Sequence, residues 1–348
     1  MSTSADLPDP PIVDAEALAH SDAAQEAVRS LVASLDDDVA RLARRMMEHR
    51  SIEAIAGVGA IDPGTMSARW LIPPRRRHLS ARHAARFDGV SRGMEHIRRR
   101  IESVRAGALD HVIARETPMV LNAMVAAAAG HDDDGEAGLI RRRQAGFVDH
   151  GAVFVPPDPE HCEHLYDRAI DGLRAHTGRH PLELAAWITM LMFTIHPFVD
   201  GNGRTARLMF TALHAGDSEL LDIGAMEAWT ADRRRYISAI ERAAPAGEPN
   251  SVAGIVPSAF AEFAVACSIV GAERWRRRID HIASSVDGWR SELGEAVLTY
   301  AFIRFERNVT RHDLCELAPE PRQIAIAEEL VRHGLVIRTA SGAYSPAT

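Results

Sequence analysis

The 348-residue sequence contains no lysine, so all 40 of its basic residues are arginines. It has no run of about 18 or more apolar residues and therefore predicts no membrane-spanning helix. Its 24 glycines and 18 prolines are too few for a collagen-like or low-complexity chain. With 46% hydrophobic and 25% charged residues, the composition is that of a soluble globular protein long enough for two or three domains.

Cysteine is also scarce. The three cysteines, Cys162, Cys267 and Cys315, are far apart and form no CxxC pair. Their odd number and wide spacing argue against a disulfide framework and against a cysteine-based zinc site. The first residues, MSTSADLPDPPIVDAEAL, contain neither a basic segment nor an apolar one, so we expect no secretory signal and a cytoplasmic protein.

The net charge of −8 argues against a protein that binds nucleic acid over its whole surface. Exclusive use of arginine beside abundant alanine is typical of a GC-rich genome, so the number of arginines does not by itself indicate phosphate binding. We interpret the triple-arginine runs at residues 75–77 and 98–100 as solvated surfaces. Only the sequence context of an arginine can therefore indicate a functional role.

Apolar residues recur mostly every three or four positions, which predicts a mainly α fold. The predicted helices cover residues 15–55, 91–106, 118–129, 160–176, 181–195, 205–215, 231–242 and 258–280. The helix at 181–195 is apolar on nearly every side, so we expect it at the centre of a domain. The segment FVDHGAVFVPP, residues 147–157, alternates apolar and polar residues about a glycine, which predicts a β-hairpin.

The end of the chain follows a different order. Predicted helices at 292–304, 310–317 and 322–333 are followed by two short strands, the order of a winged helix-turn-helix. The predicted organisation is then a disordered tail (1–14), an N-terminal helical region (15–117), a helical core with the hairpin (118–284) and a small winged-helix-like domain (285–348).

The third C-terminal helix does not favour DNA binding. A helix that reads DNA is expected to be basic, whereas this one sets Arg322, Arg332 and His333 against Glu328 and Glu329. We therefore favour a protein contact for this tail, such as a homodimer interface, over DNA binding.

The most informative segment is HPFVDGNGRTAR, residues 196–207, which joins the central helix to the next one. Gly201 and Gly203 let backbone N–H groups approach an anion closely, at the positive end of the helix that follows. Arg204 and Arg207 lie on the first turns of that helix, where they can fork onto phosphate oxygens. Because cations oppose the helix dipole at this position, the arrangement indicates an anion between them.

Two further side chains complete the segment. Asp200 supplies the hard oxygen ligand that Mg²⁺ prefers when it bridges phosphates. His196 lies just outside the helix end and is a nearby base for a hydroxyl nucleophile. Taken alone, each has a structural alternative, since histidine can cap a helix and aspartate before glycine is a common turn residue.

This segment resembles the signature of the Fic family, HPFx(D/E)GNGRxxR, and fills all nine of its specified positions. The apolar helix before it resembles the family's core helix, and GAVFVPPDPEH resembles its flap hairpin. The stretch DRRRYISAI, with Tyr236, resembles the family's segment near the adenine pocket. The resemblance covers about residues 118–244.

The resemblance implies a nucleotidyl transfer, most often of AMP from ATP to a protein hydroxyl. His196 would take the proton of a target Ser, Thr or Tyr, and Asp200 would hold Mg²⁺ on the α- and β-phosphates. Arg204 would stabilise charge on the pyrophosphate, and Arg207 would hold the γ-phosphate.

The same resemblance implies binding roles for other residues. Gly201, Asn202 and Gly203 would cradle the phosphates, and Tyr236 would contribute to nucleotide binding. The flap, around Val153 and Phe154, would align the backbone of the target protein as an added strand.

Many members of the family carry an inhibitory helix of pattern (S/T)xxxE(G/N), whose glutamate pairs with the second motif arginine. The best match is at Glu53, which would pair with Arg207 and hold the protein inactive. The pattern is incomplete, because His49 stands at the Ser/Thr position and Ala54 at the Gly/Asn position.

Three alternative functions follow from the same resemblance. The first is removal of AMP from a modified protein with the same loop. The second is a transcriptional or toxin–antitoxin regulator whose core only senses a ligand. A phosphotransferase of the Doc type is disfavoured, because Gly203 is present where that branch departs from the pattern.

Overall fold

The computed structural model describes residues 7–57, 81–103, 113–127, 135–144, 147–149, 152–154, 156–216, 218–244, 252, 254–306, 309, 314, 321–340 and 342–347. The N-terminal helices are α1 (Ala15–Ser34), α2 (Asp37–Gly57), α3 (Ala81–Ser103) and α4 (Glu116–Ala127). Strands β1 (Phe147–Asp149) and β2 (Ala152–Phe154) precede α5 (Pro159–Ala175), α6 (Pro181–Ile195) and α7 (Asn202–Ala215). Then follow α8 (Ala225–Ala231), α9 (Arg233–Ala243), α10 (Pro257–Leu293), a 3-10 turn (Gly294–Ala296), α11 (Val297–Glu306), α12 (Pro321–Arg332), β3 (Val336–Arg338) and β4 (Tyr344–Pro346).

The mainly α fold predicted from the sequence is confirmed, and α6 has the predicted bounds. Two helices extend further than their periodicity indicated. Helix α3 begins at Ala81 in a polar stretch without an apolar stripe, and α10 continues to Leu293, where Gly294 ends it with φ 52°. The short helix α8 was not predicted, because its seven residues are too few for a clear period.

Helix α6 lies at the centre of the larger of two apolar cores. Its residues are buried on nearly all sides, and α5 and α7 pack along it. Trp187, on α6, closes on Gly172 of α5 so tightly that an added Cβ there would lie 2.5 Å from the ring. The larger core also contains the end of α2, α3, α4, α8, α9 and the first half of α10.

The second core joins the two ends of the chain. It contains α1, the start of α2, the second half of α10, α11 and apolar residues of the C-terminal segment. The change between the cores falls along α10, between Cys267 and Ala272. The boundary predicted at residues 284 and 285 lies inside this continuous helix, because an unbroken helix carries no local signal where its neighbours change.

Residues 7–14, which the sequence analysis assigned to a disordered tail, form hydrogen bonds with the central helix and the turn before it. The carbonyl of Pro8 accepts a hydrogen bond of 2.9 Å from Trp187 Nε1, and Val13 N donates to Glu183 at 2.9 Å. The carbonyl of Pro11 accepts from Arg179 at 2.6 Å. Prolines retain their carbonyl acceptors, so this proline-rich segment binds α6 and the turn before it. Residues 1–6 lie outside the described residues.

A buried carboxylate ties the C-terminal segment to α2. Glu306, the last residue of α11, is 6% exposed, and its Oε2 lies 3.2 Å from Arg50 Nη2 and 3.5 Å from His49 Nδ1. Burial alone would raise the pKa of Glu306, but the hydrogen bond from His49 and the charge of Arg50 hold it below its ordinary value. Glu306 is therefore a charged link between the two ends of the chain.

The predicted hairpin is confirmed. Strand β1 pairs with β2 in antiparallel register, with Phe147 opposite Phe154. Near the C-terminus β3 and β4 form a second antiparallel pair, and Val309 bridges to Tyr344. The predicted helix at 310–317 lies outside the described residues except for Leu314, and the arginine run at 75–77 lies outside them entirely. None of the described helices is long and apolar enough to cross a membrane.

Gly271 lets α10 pass directly over the turn before α8. A Cβ on Gly271 would lie 2.4 Å from the backbone of Gly224, which itself has φ 80°. We therefore expect Gly271→Ala to destabilise the protein by about 1–3 kcal/mol, the usual effect of overpacking. Urea unfolding measures the difference, with Gly288→Ala as the matched control on the same helix.

The control site is exposed, and a Cβ there meets nothing within 4 Å. Gly288→Ala should stabilise the helix by about 0.5–1 kcal/mol. Equal unfolding midpoints for the two variants would contradict the close approach at Gly271.

Candidate active site

His196 caps the central helix in a conformation that is unusual for its residue type. It follows α6 with φ 51° and ψ 59°, the left-handed region, and its N–H donates to the carbonyl of Met192. Among the described residues it is the only one other than glycine with a positive φ. Such a backbone costs about 1–2 kcal/mol, so the surrounding structure must hold it.

The imidazole of His196 is held as a neutral base. Burial lowers its pKa to about 4, and the charge of Arg141 acts in the same direction. The Phe193 carbonyl, 3.4 Å from Nδ1, and Asp200 act in the opposite direction. A proton on Nδ1 satisfies the Phe193 carbonyl, which leaves Nε2 as the acceptor.

The loop after His196 is closed by one side chain. Asn202 is 2% exposed; its Oδ1 accepts from Phe198 N at 2.9 Å and its Nδ2 donates to Phe198 O at 2.7 Å. Both ends of the amide are therefore used within the loop. Asn202 therefore positions the loop. It can contribute to phosphate binding only through the loop backbone that it holds in place.

Glycine is required at the start of α7. Gly201 has φ 81°, and a Cβ there would lie 3.0 Å from Asn122 Nδ2 and 3.1 Å from a methyl group of Val125. The Asn122 amide also donates 2.8 Å to the carbonyl of Asp200. Asn122, on α4, thus fixes the loop from the outside; its role gives no sequence signal, because it lies in an apolar helix with no motif.

Asp200 and Arg204 form an ion pair at the mouth of the loop. Arg204 Nη2 lies 3.1 Å from Asp200 Oδ2, and Arg204 Nη1 donates 2.8 Å to the carbonyl of Val125. The Asp200 side chain is 40% exposed, whereas that of Arg204 is 8% exposed. A carboxylate that reaches solvent beside a buried guanidinium can contact a ligand from one side.

Arg207 lies deeper, one turn further along α7. It is 3% exposed, and its Nη2 donates 3.0 Å to the carbonyl of Ile55, near the end of α2. Burial lowers its pKa, while the hydrogen bond with Tyr236 acts in the opposite direction. Tyr236 therefore contacts the site through Arg207, and its ring stacks on Trp229 with centroids 5.7 Å apart.

The site is electropositive. Burial is the largest influence on the pKa of Arg204 and lowers it. The charge of Asp200 opposes this effect, and the like charges of Arg86 and Arg207 lower the pKa further. Three guanidinium groups thus share one region with a single carboxylate of the motif. An anion bound between them would relieve this repulsion, and phosphate oxygens suit guanidinium groups.

The inhibitory pair predicted from the sequence is not formed. The Glu53 carboxylate lies 3.3 Å from Arg50 Nη1, and Arg207 is bonded instead by the backbone of Ile55. Glu53 and Ile55 both belong to α2, so this helix reaches the site, but it contacts Arg207 with a carbonyl oxygen rather than a carboxylate. The acid at Glu53 turns toward its own helix because Arg50, three positions earlier, lies on the same face.

The predicted flap lies beside the site as a backbone hairpin. Its strands pair Val153 with Val148, while the side chains of Val153 and Phe154 lie outside the described residues. The two stems of the hairpin, at Arg143 and Pro157, are joined by a residue that the sequence analysis missed. Arg141 is 2% exposed and donates to both of these carbonyls.

The donor set suits a metal held mainly by a substrate. No group of three or more His, Cys, Asp or Glu side chains that could hold a metal ion occurs among the described residues. Asp200 offers one partly exposed carboxylate beside the glycine loop. This fits Mg²⁺, which is usually bound by one or two carboxylates together with substrate phosphates.

Residues 115–213 match the model of the Fic/DOC family. Among curated proteins, a protein adenylyltransferase Fic of Nematostella vectensis is 42% identical over 86 residues, which are 24% of this chain and 19% of that protein. The protein of the same name in Drosophila willistoni is 40% identical over 86 residues, 24% of this chain and 16% of that protein. The chain thus spans less than a fifth of the length of these relatives.

Two solved structures share the fold. A Fic domain containing signaling protein from Bacteroides thetaiotaomicron gives a TM-score of 0.54 at 18% identity, covering 75% of this chain and 97% of that one. A Fic family protein from Desulfovibrio desulfuricans gives a TM-score of 0.54 at 16% identity, covering 97% and 98%. The matched segment holds α6, the loop with all nine signature residues and most of α7, so this chain contains a domain of the Fic/DOC family at residues 115–213.

Proposed function

We propose that the protein is an adenylyltransferase that moves AMP from ATP to a hydroxyl group of a protein. The observation that carries the proposal is the arrangement around the glycine loop. A neutral histidine ends one helix, two buried arginines begin the next, and a partly exposed aspartate lies between them. The relatives named protein adenylyltransferase Fic support the same reaction class.

His196 would act as the general base. Its Nε2 accepts the proton of the target Ser, Thr or Tyr, whose oxygen forms a bond to the α-phosphorus. The bond from that phosphorus to the bridging oxygen breaks, and pyrophosphate leaves with its electron pair. The low pKa of His196 keeps the imidazole unprotonated and available before each turnover.

The other residues of the loop bind and neutralise the triphosphate. Arg204 stabilises charge that develops on the leaving pyrophosphate, and Arg207 holds the γ-phosphate. The N–H groups at Gly201 and Gly203 face the same anion at the start of α7. Asp200 would hold Mg²⁺, which when bound neutralises phosphate charge.

The β-hairpin would dock the target protein. Two three-residue strands offer a short edge to an extended segment, which can add to it as a further strand. The hydroxyl of that segment then faces His196. Selection of the target would depend on surfaces away from this backbone contact.

For the C-terminal segment we propose a protein contact rather than a DNA contact. Glu328 and Glu329 on α12 offset its basic residues, and Leu335 and Ile337 are 36% and 49% exposed. Exposed apolar side chains favour a protein partner, such as a second copy of the chain. A gel shift at stated salt concentration tests the DNA alternative.

The assay uses the full chain with ATP labelled either at the α-phosphate or at the γ-phosphate, followed by intact mass measurement. AMP transfer gives a protein adduct that retains the α label and loses the γ label. Transfer of the γ label instead would identify a phosphotransferase. Release of AMP from a previously modified protein, without any adduct, would identify hydrolytic removal of AMP.

The pH profile of transfer provides a further prediction. A histidine of ordinary pKa, about 6.5, would be roughly nine-tenths protonated at pH 5.5 and would lose about tenfold in rate. Burial lowers the pKa of His196 to about 4, so the base stays neutral as the pH falls from 7.5 to 5.5. We expect kcat/KM for ATP to change less than threefold over this interval.

Circular dichroism at each pH controls for unfolding. This control is needed because His196 and His214 both have pKa values lowered to about 4 by burial. Between about pH 6.5 and pH 4 both histidines bind more protons in the unfolded chain, so both lower the stability as the pH decreases. Asp222, whose pKa burial raises to about 6, acts in the opposite direction. A tenfold loss in rate by pH 5.5 in a folded protein would contradict the assignment of a low pKa.

A further inference from the structure

Arg141 is a buried cation whose hydrogen-bond acceptors are all backbone carbonyls. The residue is 2% exposed and lies in the segment before β1. Within the part of the chain that the structure describes, its guanidinium forms no ion pair with a carboxylate. Removing a guanidinium from water costs free energy, which the hydrogen bonds of the buried group must offset. The many hydrogen bonds of Arg141 therefore indicate that it holds a particular local structure.

One set of these bonds holds the end of the central helix. Arg141 Nε donates 2.7 Å to the carbonyl of His196, and Nη2 donates 3.3 Å to the carbonyl of Ile195. The Arg141 backbone N–H donates 2.9 Å to the carbonyl of Pro197. Three successive carbonyls are thus fixed by one residue, across the position where His196 adopts its left-handed backbone.

A second set of bonds holds the base of the hairpin. Arg141 Nη1 donates 3.2 Å to the carbonyl of Arg143, four residues before β1. Nη2 also donates to the carbonyl of Pro157, three residues after β2. Gln144 adds a bond of 3.2 Å to the carbonyl of Pro156. The two stems of the hairpin are therefore joined through the same guanidinium that holds the helix end.

We propose that Arg141 is the positioning residue of this site, which holds the His196 backbone in its left-handed conformation and couples it to the hairpin. This inference rests on the proposed function, because it assigns His196 as the base and the hairpin as the docking strand. A target segment that pairs with the hairpin would contact strands whose stems are joined through Arg141 to the backbone of His196. The strand that docks the target and the histidine that takes its proton are then connected through the side chain of Arg141.

The charge of Arg141 serves the same role. It lies close enough to His196 to oppose protonation of the imidazole. Lysine keeps this charge but is a point donor, whereas the planar fork of arginine can reach carbonyls on both sides at once. Methionine has a similar shape and removes both the charge and the hydrogen bonds.

The test compares Arg141→Lys and Arg141→Met with Arg142→Met. Arg142 is the neighbouring residue, and it is exposed, which makes it the matched control. For both Arg141 variants we expect kcat for AMP transfer to fall about 10²-fold, the effect of a base displaced by about 1 Å. KM for ATP should stay within about threefold, because Arg204 and Arg207 are unchanged.

Two measurements do not depend on catalysis. Hydrogen exchange at the β1 and β2 amides should accelerate at least tenfold in both Arg141 variants and not in Arg142→Met. The ring resonances of His196, assigned by comparison with His196→Gln, should shift in Arg141→Met more than in Arg141→Lys. These readouts test Arg141 even if the wild-type protein transfers no AMP.

The proposal is overturned if folded Arg141→Met retains wild-type hairpin exchange and His196 resonances. It is also overturned if the variants lose ATP binding while kcat is unchanged, since that would place Arg141 with the nucleotide rather than with the base. If Arg141→Met does not fold, Arg141→Lys decides by the same criteria.

Discussion

Replacement of His196 by alanine is expected to reduce AMP transfer by about 10³-fold, within the usual range for loss of a general base. The imidazole ends α6 directly before the glycine loop. Burial lowers its pKa to about 4, so it is unprotonated at neutral pH. Transfer is measured by retention of α-labelled phosphate in the protein.

His164→Ala is the matched control, because His164 is an exposed histidine on α5, away from the loop. It should transfer AMP at the wild-type rate. ATP binding to His196→Ala should also stay close to that of the wild type, since the arginines and the glycine loop are unchanged. Full labelling of His196→Ala would remove the histidine from the proposed mechanism.

The second large effect is expected at Arg204. We predict that Arg204→Met lowers kcat for transfer by about 10³-fold, since arginines that stabilise charge on phosphoryl groups contribute factors of this order. The substitution also leaves Asp200 without its ion pair at 3.1 Å, which weakens the placement of the carboxylate. Arg204→Lys keeps the charge but loses the fork, so its loss should be intermediate.

Arg234→Met serves as the control for Arg204→Met, since Arg234 is an exposed arginine near Tyr236 on α9. It should leave both kcat and KM unchanged. Thermal unfolding distinguishes a chemical effect from a loss of packing, because Arg204 also donates to the carbonyl of Val125. A folded Arg204→Met that transfers AMP at the wild-type rate would exclude the arginine from charge stabilisation.

The central helix and its loop could be predicted from the sequence because their signals are local. The bounds of α6 agree with the apolar stretch that begins at Pro181. The spacing of the motif places His196 at one helix end and Arg204 and Arg207 on the next helix. Glycine at 201 was predictable as well, since close anion approach and a positive φ both require it.

The supporting residues could not be predicted in the same way. Arg141 opens a run of three arginines, and in a chain without lysine such a run has the pattern of a solvated surface. Only tertiary contacts bury the first of the three and leave the other two exposed. Asn122 and the carbonyl of Ile55 give no sequence signal, because their roles depend on which helices become neighbours.

Glu53 shows a different limit of the sequence. A one-dimensional pattern identified the helix that reaches Arg207, but the pattern concerns a side chain and the contact is made by backbone. Helix α2 therefore lies where a regulatory helix was expected, while its acid pairs with Arg50. Sequence spacing indicates which helix approaches Arg207, but it does not determine how that helix is rotated about its axis.

The buried carboxylate of Glu306 has a practical consequence for any shortened form of this protein. A chain cut before α11 ends would remove the buried carboxylate that lies beside Arg50 and His49, although Arg50 would keep its contact with Glu53. Loss of one member of a buried ion pair costs about 3–5 kcal/mol, a large part of the stability of an ordinary domain. The family match ends at residue 213, yet we expect any fragment that ends before Glu306 to be less stable than the full chain.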